Sequence, residues 1–390
     1  MAELTEEVSL VDVTDPEPRA ALAGRIFREL GPPQSVWSLP DWVQARRRWP
    51  NGRFYMLIGE SQGRLAWYQP WFAYPFRLRV RLGPAPLWTA HVVRADARSF
   101  HALVDADEGL SMCRLQHALS ILRRALPAGA VLFVESVPEG SAVTRAFALS
   151  AAAYSGYRAL RYGPPNMHRS ACIEGGLDTY LGRLGSKTRA DVRRTRRRFE
   201  AAHGVHSELF VARSEADVGK LAEAVLEVAS KTWQFQQEGA GPRDRSALQD
   251  ELHAAARAGV LRSYVLYAEG RPIAFQIGYI DGSVFDAHAI GYDPAWRKSQ
   301  PGILLHAAIV DDLGNHLPEI TRFDFGLTDR LHKSRLSTDA MEEGFYYLFP
   351  KSIRGNLLYG ALKASMTLTD ALKSARDSMW HRRQRRSCPS

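Results

Sequence analysis

The chain has 390 residues, of which 45% are hydrophobic and 24% charged. This composition is typical of a folded protein with about two domains, and it excludes a disordered or collagen-like chain. The sequence contains no run of about 18 apolar residues, so no transmembrane helix is predicted. The acidic segment 1–17 lacks the pattern of a signal peptide. Cys113, Cys172 and Cys388 have neither metal-site nor disulfide-framework spacing, which predicts a reducing, cytoplasmic location and no metal.

The net charge of +9 is concentrated in two segments. Residues 183–198 carry +7 and residues 353–390 carry +6, which leaves about −4 on the rest of the chain. Local basic segments predict anionic partners at particular places. Those partners are a phosphorylated cofactor, a lipid surface or RNA.

The first half of the chain is predicted to combine helices with short strands. A helix covers about 19–30 and ends at Gly31-Pro32-Pro33, and apolar spacing from Met112 to Leu126 predicts a second helix that Pro127 ends. The predicted strands cover 54–59, 65–72, 78–82, 131–134 and, after a further helix, 167–173.

The second half repeats this pattern. Strands are predicted at 261–268, 273–280 and 283–290, a helix at about 302–313 and a strand at 322–325. Near the C-terminus, apolar residues at helical spacing predict an amphipathic helix, namely Leu358, Ala361, Leu362, Leu368, Leu372, Ala375 and Met379. This helix and its basic tail either contact an anionic membrane surface or pack on the body with a solvated tail.

Two hairpins share a motif. Tyr55-x-Leu57 with Gly63-Arg64-x-Ala66-x-x-Gln69 resembles Tyr264-x-Leu266 with Gly270-Arg271-x-x-Ala274-x-Gln276, at an offset of about 207–209 residues. A repeat of this length predicts two copies of one domain fold, although hairpins with glycine turns also look alike.

The stretch 290–305 carries the clearest chemical signal. A strand is followed by a basic loop and then by a helix, and free amides at a helix N-terminus bind phosphate. Arg297 and Lys298 add charge at this place, and Gly302 removes a side chain where a ligand would approach the backbone. Arg297-x-x-Gln300-x-Gly302 resembles the pyrophosphate-binding loop of GNAT acyltransferases.

Further motifs extend this resemblance over about residues 165–350. The segment 323–333 resembles one of a GNAT branch, the acetyltransferases associated with cellulose and exopolysaccharide biosynthesis, which is related to the FemAB peptidoglycan aminoacyltransferases. Other motifs resemble upstream landmarks of the family, namely Tyr180-Leu-x-x-Leu184, Lys187-x-Arg189, Arg193–Arg198, Gly204 and Lys231-Thr-Trp233. The chain departs from the family pattern at Gln300, Thr328 and His332.

The resemblance implies an α/β (α+β mixed sheet) fold of tandem GNAT-like domains, each a twisted mixed sheet flanked by helices. It implies a degenerate N-terminal domain at 1–165, a catalytic domain at 166–352 and a basic amphipathic C-terminal helix with its tail at 353–390. It also implies transfer from acetyl-CoA or another acyl-CoA to a saccharide or small-molecule acceptor.

Site residues follow from the same motifs. The cofactor-binding loop comprises Arg297, Lys298, Ser299, Gln300, Pro301, Gly302 and Ile303. Asp286, His288 and Asp324 are candidate bases, and strand alternation predicts that Asp286 and His288 face the same way. Lys333 would stabilise an oxyanion or bind an acidic acceptor. The resemblance assigns Trp233, Asp329 and His332 to the acceptor.

The arginine-rich segment 183–198 is predicted to be helical, with an apolar stripe of Val192, Thr195, Phe199 and Ala202. Its arginines contact CoA phosphates, an acidic saccharide or tRNA, or they form a solvated face. Three hypotheses therefore remain open. They are an acyl-CoA-dependent acyltransferase of polysaccharide or cell-envelope biosynthesis, a FemAB-like tRNA-dependent aminoacyltransferase, and a catalytically silent GNAT scaffold peripheral to the inner face of the membrane.

Overall fold

The computed structural model describes residues 6–31, 36–45, 51–98, 108–150, 156–232, 244–327 and 331–386. Its strands are β1 (Glu6–Asp12), β2 (Arg53–Ser61), β3 (Arg64–Leu82), β4 (Ala85–Arg98), β5 (Val131–Pro138), β6 (Tyr157–Cys172), β7 (Ser207–Ala212), β8 (Ser263–Ala268), β9 (Arg271–Asp281), β10 (Val284–Tyr292), β11 (Arg322–Gly326) and β12 (Asp339–Pro350). Its α-helices are α1 (Pro16–Leu30), α2 (Pro40–Ala45), α3 (Glu108–Ala125), α4 (Ala142–Ser150), α5 (Gly176–Arg183), α6 (Ser186–His203), α7 (Val218–Lys231), α8 (Arg245–Arg257), α9 (Pro301–His316), α10 (Leu331–Leu336) and α11 (Ile353–Arg386). None of these helices is both long and apolar enough to cross a bilayer.

The chain divides into two compact units that differ from the sequence-based domains. Unit 1 comprises Met1–Thr14, Trp49–Pro165 and Glu343–Ser390, and unit 2 comprises Asp15–Arg48 and Asn166–Glu342. Residues 15–48 therefore lie in unit 2, because Val36 and Trp42 are buried in its core. The C-terminal helix is not a separate domain, because Leu358 and Leu362 are buried in a core of unit 1.

Unit 1 contains a mixed sheet in the order β1-β2-β3-β4-β5-β12. Its neighbours are antiparallel except for β4 and β5, which are parallel. Helix α3 covers one face, where Leu119 and Leu122 pack in the same core as Trp71 and Leu132. Helix α11 covers the other face near Leu78. Each such buried side chain contributes about 1.5–3 kcal/mol.

Strand β3 differs from the prediction. The segments predicted as strands at 65–72 and 78–82 form one continuous strand of 19 residues. Its middle pairs with β4, and Pro75 lies opposite Val93 without ending the ladder. The sequence analysis missed β4 because its first five residues are all exposed and show no alternation.

Unit 2 contains a mixed sheet in the order β6-β11-β10-β9-β8-β7. Strands β10 and β11 are parallel, and the other neighbours are antiparallel. Helix α9 packs on one face in a core with Tyr180 and Phe285. Helices α7 and α8 pack on the other face, together with Trp42 and Tyr279. The mixed α/β fold predicted from the sequence is confirmed.

The repeated hairpin motif has a repeated geometry. Gln62-Gly63 and Glu269-Gly270 are 207 residues apart, and all four residues have positive φ between 51° and 76°. Two consecutive residues of this kind form the turn that matches the twist of a hairpin. Just before each turn the strand pairing has a register shift, at Gly59/Glu60 in β2 and at Leu266/Tyr267 in β8, and these positions are again 207 residues apart.

The amphipathic pattern expected for the C-terminal helix is only partly right. Leu358 and Leu362 are buried, whereas Leu368 and Leu372 are 53% and 55% exposed. At 100° per residue, Leu368 lies about 120° around the helix from Leu362, so the two residues cannot share one face. Helix α11 therefore carries a second, exposed apolar stripe.

Candidate active site

Strands β10 and β11 part in the middle of the unit 2 sheet. They pair only over Val284–Asp286 and Arg322–Asp324. Beyond Asp286, β10 continues to Tyr292 and stays paired with β9 on its other edge. Among the described residues, no strand pairs with the β11-facing edge of β10 after Asp286. The parting leaves backbone donors and acceptors on this edge of β10 without a strand partner among the described residues, and the gap beside this edge is termed the cleft.

The loop after β10 is fixed by Asp293. Its Oδ1 accepts a hydrogen bond from the Ala295 amide at 2.9 Å, and its Oδ2 accepts one from Lys231 Nζ at 3.0 Å. Hydrogen bonding to Glu227, followed by bonding to Asp293, raises the pKa of Lys231 above its ordinary value. A short 3-10 helix, Pro294–Ser299, leads from Asp293 to α9.

Gln300 turns the chain into α9. It is left-handed, with φ of 53° and ψ of 54°, and its carbonyl accepts the amides of Ile303 at 3.0 Å and Leu304 at 3.3 Å. Helix α9 starts at Pro301, close to the predicted start. The Ile303 amide is thus directed into the helix and not toward a ligand.

The N-terminus of α9 combines an open amide with free cations. Pro301 has no N–H, and the Gly302 amide has no acceptor among the described residues. A Cβ added at Gly302 would meet nothing within 4 Å, so packing does not require glycine there. Arg297 and Lys298 are exposed, and neither forms an ion pair within the described part of the chain. Such a helix end favours an anion.

Helix α6 braces this loop. Thr195 Oγ1 donates to Gln300 Oε1 at 3.3 Å, and Arg196 pairs with Asp311 of α9 at 3.3 Å. Val192, Thr195 and Phe199 are buried as predicted. Ala202 is exposed, contrary to the predicted stripe, because it lies in the last turn before the helix ends at His203.

Two of the candidate bases lie against one tryptophan. Asp286 is 7% exposed, and its Oδ2 accepts a hydrogen bond from Trp37 Nε1 at 2.8 Å. The His288 ring lies 5.6 Å from the Trp37 ring, and its Nε2 is 3.8 Å from Glu251 Oε1. Asp286 and His288 therefore reach the same side of β10. The sequence analysis missed Trp37 because it is about 250 residues away in the chain.

Asp324 lies opposite Asp286 at the last paired position of β10 and β11. Its Oδ1 is 2.6 Å from His168 Nε2 and also accepts the Gly326 amide at 2.6 Å. A carboxylate bonded to one ring nitrogen of an imidazole fixes the tautomer and the orientation of the ring. The sequence analysis did not identify His168, because this histidine lies in a strand and belongs to no recognisable sequence motif.

Lys333 points to the backbone. Its Nζ donates to the carbonyls of Phe325 at 2.5 Å and Leu327 at 2.7 Å. It therefore holds the chain that follows β11. Trp233 and Asp329 lie outside the described residues, as does the His332 side chain.

Comparison with known proteins adds a family assignment to this geometry. Residues 186–334, which contain α6, the parting strands, the basic loop and Lys333, match the model of the acetyltransferase (GNAT) domain. This part of unit 2 is therefore similar to a GNAT domain. The GNAT resemblance of the motifs within this segment is confirmed, and the match supports an acyltransferase.

Solved structures agree on the fold. The chain is similar to FemX, with a TM-score of 0.56 at 12% identity over 87% of this chain and 96% of that one. It is also similar to a conserved protein of unknown function from Bacteroides thetaiotaomicron VPI-5482, with a TM-score of 0.54 at 14% identity over 88% and 100%. No curated protein matches the chain. At these identities the likeness shows the fold alone.

Proposed function

We propose that the chain transfers an acyl group from acetyl-CoA or another acyl-CoA to an amine or hydroxyl of a sugar, amino sugar or small amine, in polysaccharide or cell-envelope biosynthesis. The observation that carries this proposal is the parting of β10 and β11 directly before the open N-terminus of α9. The cleft suits an extended thioester arm. The Gly302 amide, Arg297 and Lys298 suit its diphosphate.

When bound, acyl-CoA would supply a thioester whose carbonyl carbon accepts the lone pair of the acceptor while the C–S bond breaks and CoA leaves as the thiolate, which then takes up a proton to become the thiol. The chain must then take the proton that the acceptor loses. His168, oriented by Asp324 at 2.6 Å, is our preferred base, and Asp286 is the alternative. Lys333 keeps the end of β11 in place through its two carbonyl contacts.

Calorimetry with CoA and acetyl-CoA tests the cofactor, and release of free thiol in the presence of amino sugars tests the reaction. Replacing Arg297 with alanine removes a charge-assisted contact of about 1.5–3 kcal/mol, so CoA binding should weaken roughly 10- to 150-fold. Gly302→Asp should abolish it. Arg64→Ala, at an exposed position in the β2–β3 turn, is the control. Absence of CoA binding, or variants that bind like the parent, would refute the proposal.

His168→Asn separates chemistry from binding. The variant keeps a hydrogen-bonding side chain opposite Asp324 but cannot take a proton near neutral pH. Turnover should fall by about 10²–10⁴-fold with CoA affinity unchanged. An unchanged pH profile and rate would shift the role of base to Asp286.

A second function has its own observation. The outer face of α6 borders an open groove of about 640 Å³ that carries Arg189, Arg193, Arg196 and Arg197. This face and the FemX-like fold favour a tRNA-dependent aminoacyl transfer as the alternative. Binding of charged tRNA that falls steeply with salt and is lost in Arg193→Gln/Arg197→Gln would support it. Failure of tRNA to bind at low salt would remove it.

We also propose that α11 touches the inner face of the cytoplasmic membrane. Ile353, Leu357, Leu368 and Leu372 are between 53% and 93% exposed on this helix, whose segment is basic. Sedimentation of the full chain with anionic vesicles should decrease in Leu368→Glu/Leu372→Glu. Vesicle binding without any turnover would favour the scaffold hypothesis.

A further inference from the structure

Unit 1 contains a large open cavity that the acyl-transfer proposal does not use. It measures about 1060 Å³, and residues of the β3–β4 hairpin, the loop at 128–129, β12 and α11 line it. The described residues that line it include no carboxylate but four arginines and a histidine, namely Arg77, Arg79, Arg81, His91 and Arg354. This volume is that of a pocket for a medium-sized ligand.

The arginines of the hairpin result from strand alternation. Leu78 and Val80 are 3% and 4% exposed and pack in unit 1, so the residues between them point to the opposite face. Arg77, Arg79 and Arg81 therefore stand in one row. Side chains two apart on a strand are about 6.6–6.8 Å apart, so three like charges in such a row repel each other.

Most of these cations have no carboxylate partner in the part of the chain that the structure describes. Within the described residues, Arg77, Arg79, Arg81 and His91 form no ion pair. The nearby carboxylate of β4, Asp96, is already occupied, because Arg94 Nη2 donates to its Oδ2 at 2.6 Å and the Tyr74 hydroxyl donates to the same oxygen at 2.8 Å.

The arginine-rich helix of unit 2 behaves differently. On α6, three arginines each have an acidic partner, in the pairs Arg193–Asp178, Arg194–Asp191 and Arg196–Asp311. Part of this solvated basic face is thus paired with carboxylates. The cavity of unit 1 lacks such partners, which indicates that an external anion supplies the missing charge.

The aromatic part of the lining lies on the Leu78 face of β3, so it borders the arginine row at the edge of the hairpin. The Tyr162 and Tyr347 rings meet edge to face at 5.1 Å, and Arg94 Nη1 donates to the Tyr347 hydroxyl at 3.3 Å. The Arg94 guanidinium lies between the Phe76 and Phe133 rings, 4.1 Å and 4.5 Å from their centroids. Contacts within the protein therefore hold Phe76 and Tyr347 of this lining.

We propose that this cavity is a binding site for a ligand that carries phosphate or diphosphate. A planar guanidinium group can bind two phosphate oxygens at once, and a row of three such groups can bind more than one phosphate group. The phosphate comes either from a soluble phosphorylated compound or from the headgroup of an anionic lipid. The proposal does not depend on acyl transfer in unit 2.

Calorimetric titration of the full chain with inorganic pyrophosphate tests the site. Because pyrophosphate can also bind at α9, three variants are compared with the parent: Arg79→Gln/Arg81→Gln, Arg297→Gln/Lys298→Gln, and Arg64→Gln as the control. We expect Arg79→Gln/Arg81→Gln to weaken pyrophosphate binding in the cavity by at least about tenfold per arginine. This variant should keep the binding event at the N-terminus of α9. Arg64→Gln should match the parent. Unfolding temperatures and circular dichroism show whether each variant is folded.

The proposal would be overturned if only Arg297→Gln/Lys298→Gln removed pyrophosphate binding. It would also be overturned if replacing Arg79 and Arg81 left pyrophosphate binding unchanged. Loss of both events in Arg297→Gln/Lys298→Gln would overturn it as well. Vesicles of phosphatidylcholine with and without phosphatidic acid identify the source of the phosphate. Sedimentation with phosphatidic acid that Arg79→Gln/Arg81→Gln abolishes assigns the site to a lipid headgroup. Pyrophosphate binding without such sedimentation assigns it to a soluble compound.

Discussion

Replacing Gly302 with alanine should move stability and ligand binding in opposite directions. Gly302 is the second residue of α9, its φ is not positive, and a Cβ there would meet no atom within 4 Å. Alanine is favoured over glycine in helices by up to about 1 kcal/mol, so the variant should unfold at an equal or slightly higher temperature. The new methyl would stand where a diphosphate reaches the amide. Loss of one charge-assisted contact costs about 1.5–3 kcal/mol, or roughly 10- to 150-fold in CoA affinity.

Thermal unfolding and calorimetry with CoA measure the two effects on the same sample. Gly360→Ala is a matched control, because Gly360 is also helical and a Cβ there would also meet nothing within 4 Å. It should gain stability and leave CoA affinity unchanged. If Gly302→Ala bound CoA like the parent, the amide of Gly302 would not be part of the binding site.

Three further substitutions test the frame around the site. Asp312→Ala leaves Arg262 charged and 7% exposed without its carboxylate, so unfolding in urea should show a loss of about 3–5 kcal/mol; an unchanged midpoint would contradict this. Gly314→Ala places a Cβ 2.6 Å from Gly176 Cα, where backbone must move, and its unfolding temperature should drop by several degrees, unlike that of Gly360→Ala. Gln300 has a left-handed backbone conformation, which glycine adopts at lower cost, so Gln300→Gly should stabilise the protein by about 0.5–1 kcal/mol. A lower unfolding temperature would refute this expectation.

Local patterns predicted much of the fold. The glycine turns at Gly63 and Gly270 identified both hairpins, because a positive φ suits glycine and the flanking residues alternate. The basic loop before α9 was found because charge, Gly302 and a following apolar helix lie within a few residues of each other.

Long-range contacts could not be predicted from such patterns. Trp37 reaches Asp286, and His168 reaches Asp324, across 249 and 156 residues. The place where β10 and β11 part is likewise a property of two strands that are separated by a helix. Neither strand shows in its own sequence where the pairing ends.

Hydrogen exchange of the full chain with and without CoA tests the central claim most directly. CoA should slow exchange in residues 287–305, with the Gly302 amide and the β11-facing edge of β10 among the protected groups. Protection confined to other segments, or none at saturating CoA, would contradict the assignment of this cleft as the acyl-CoA site.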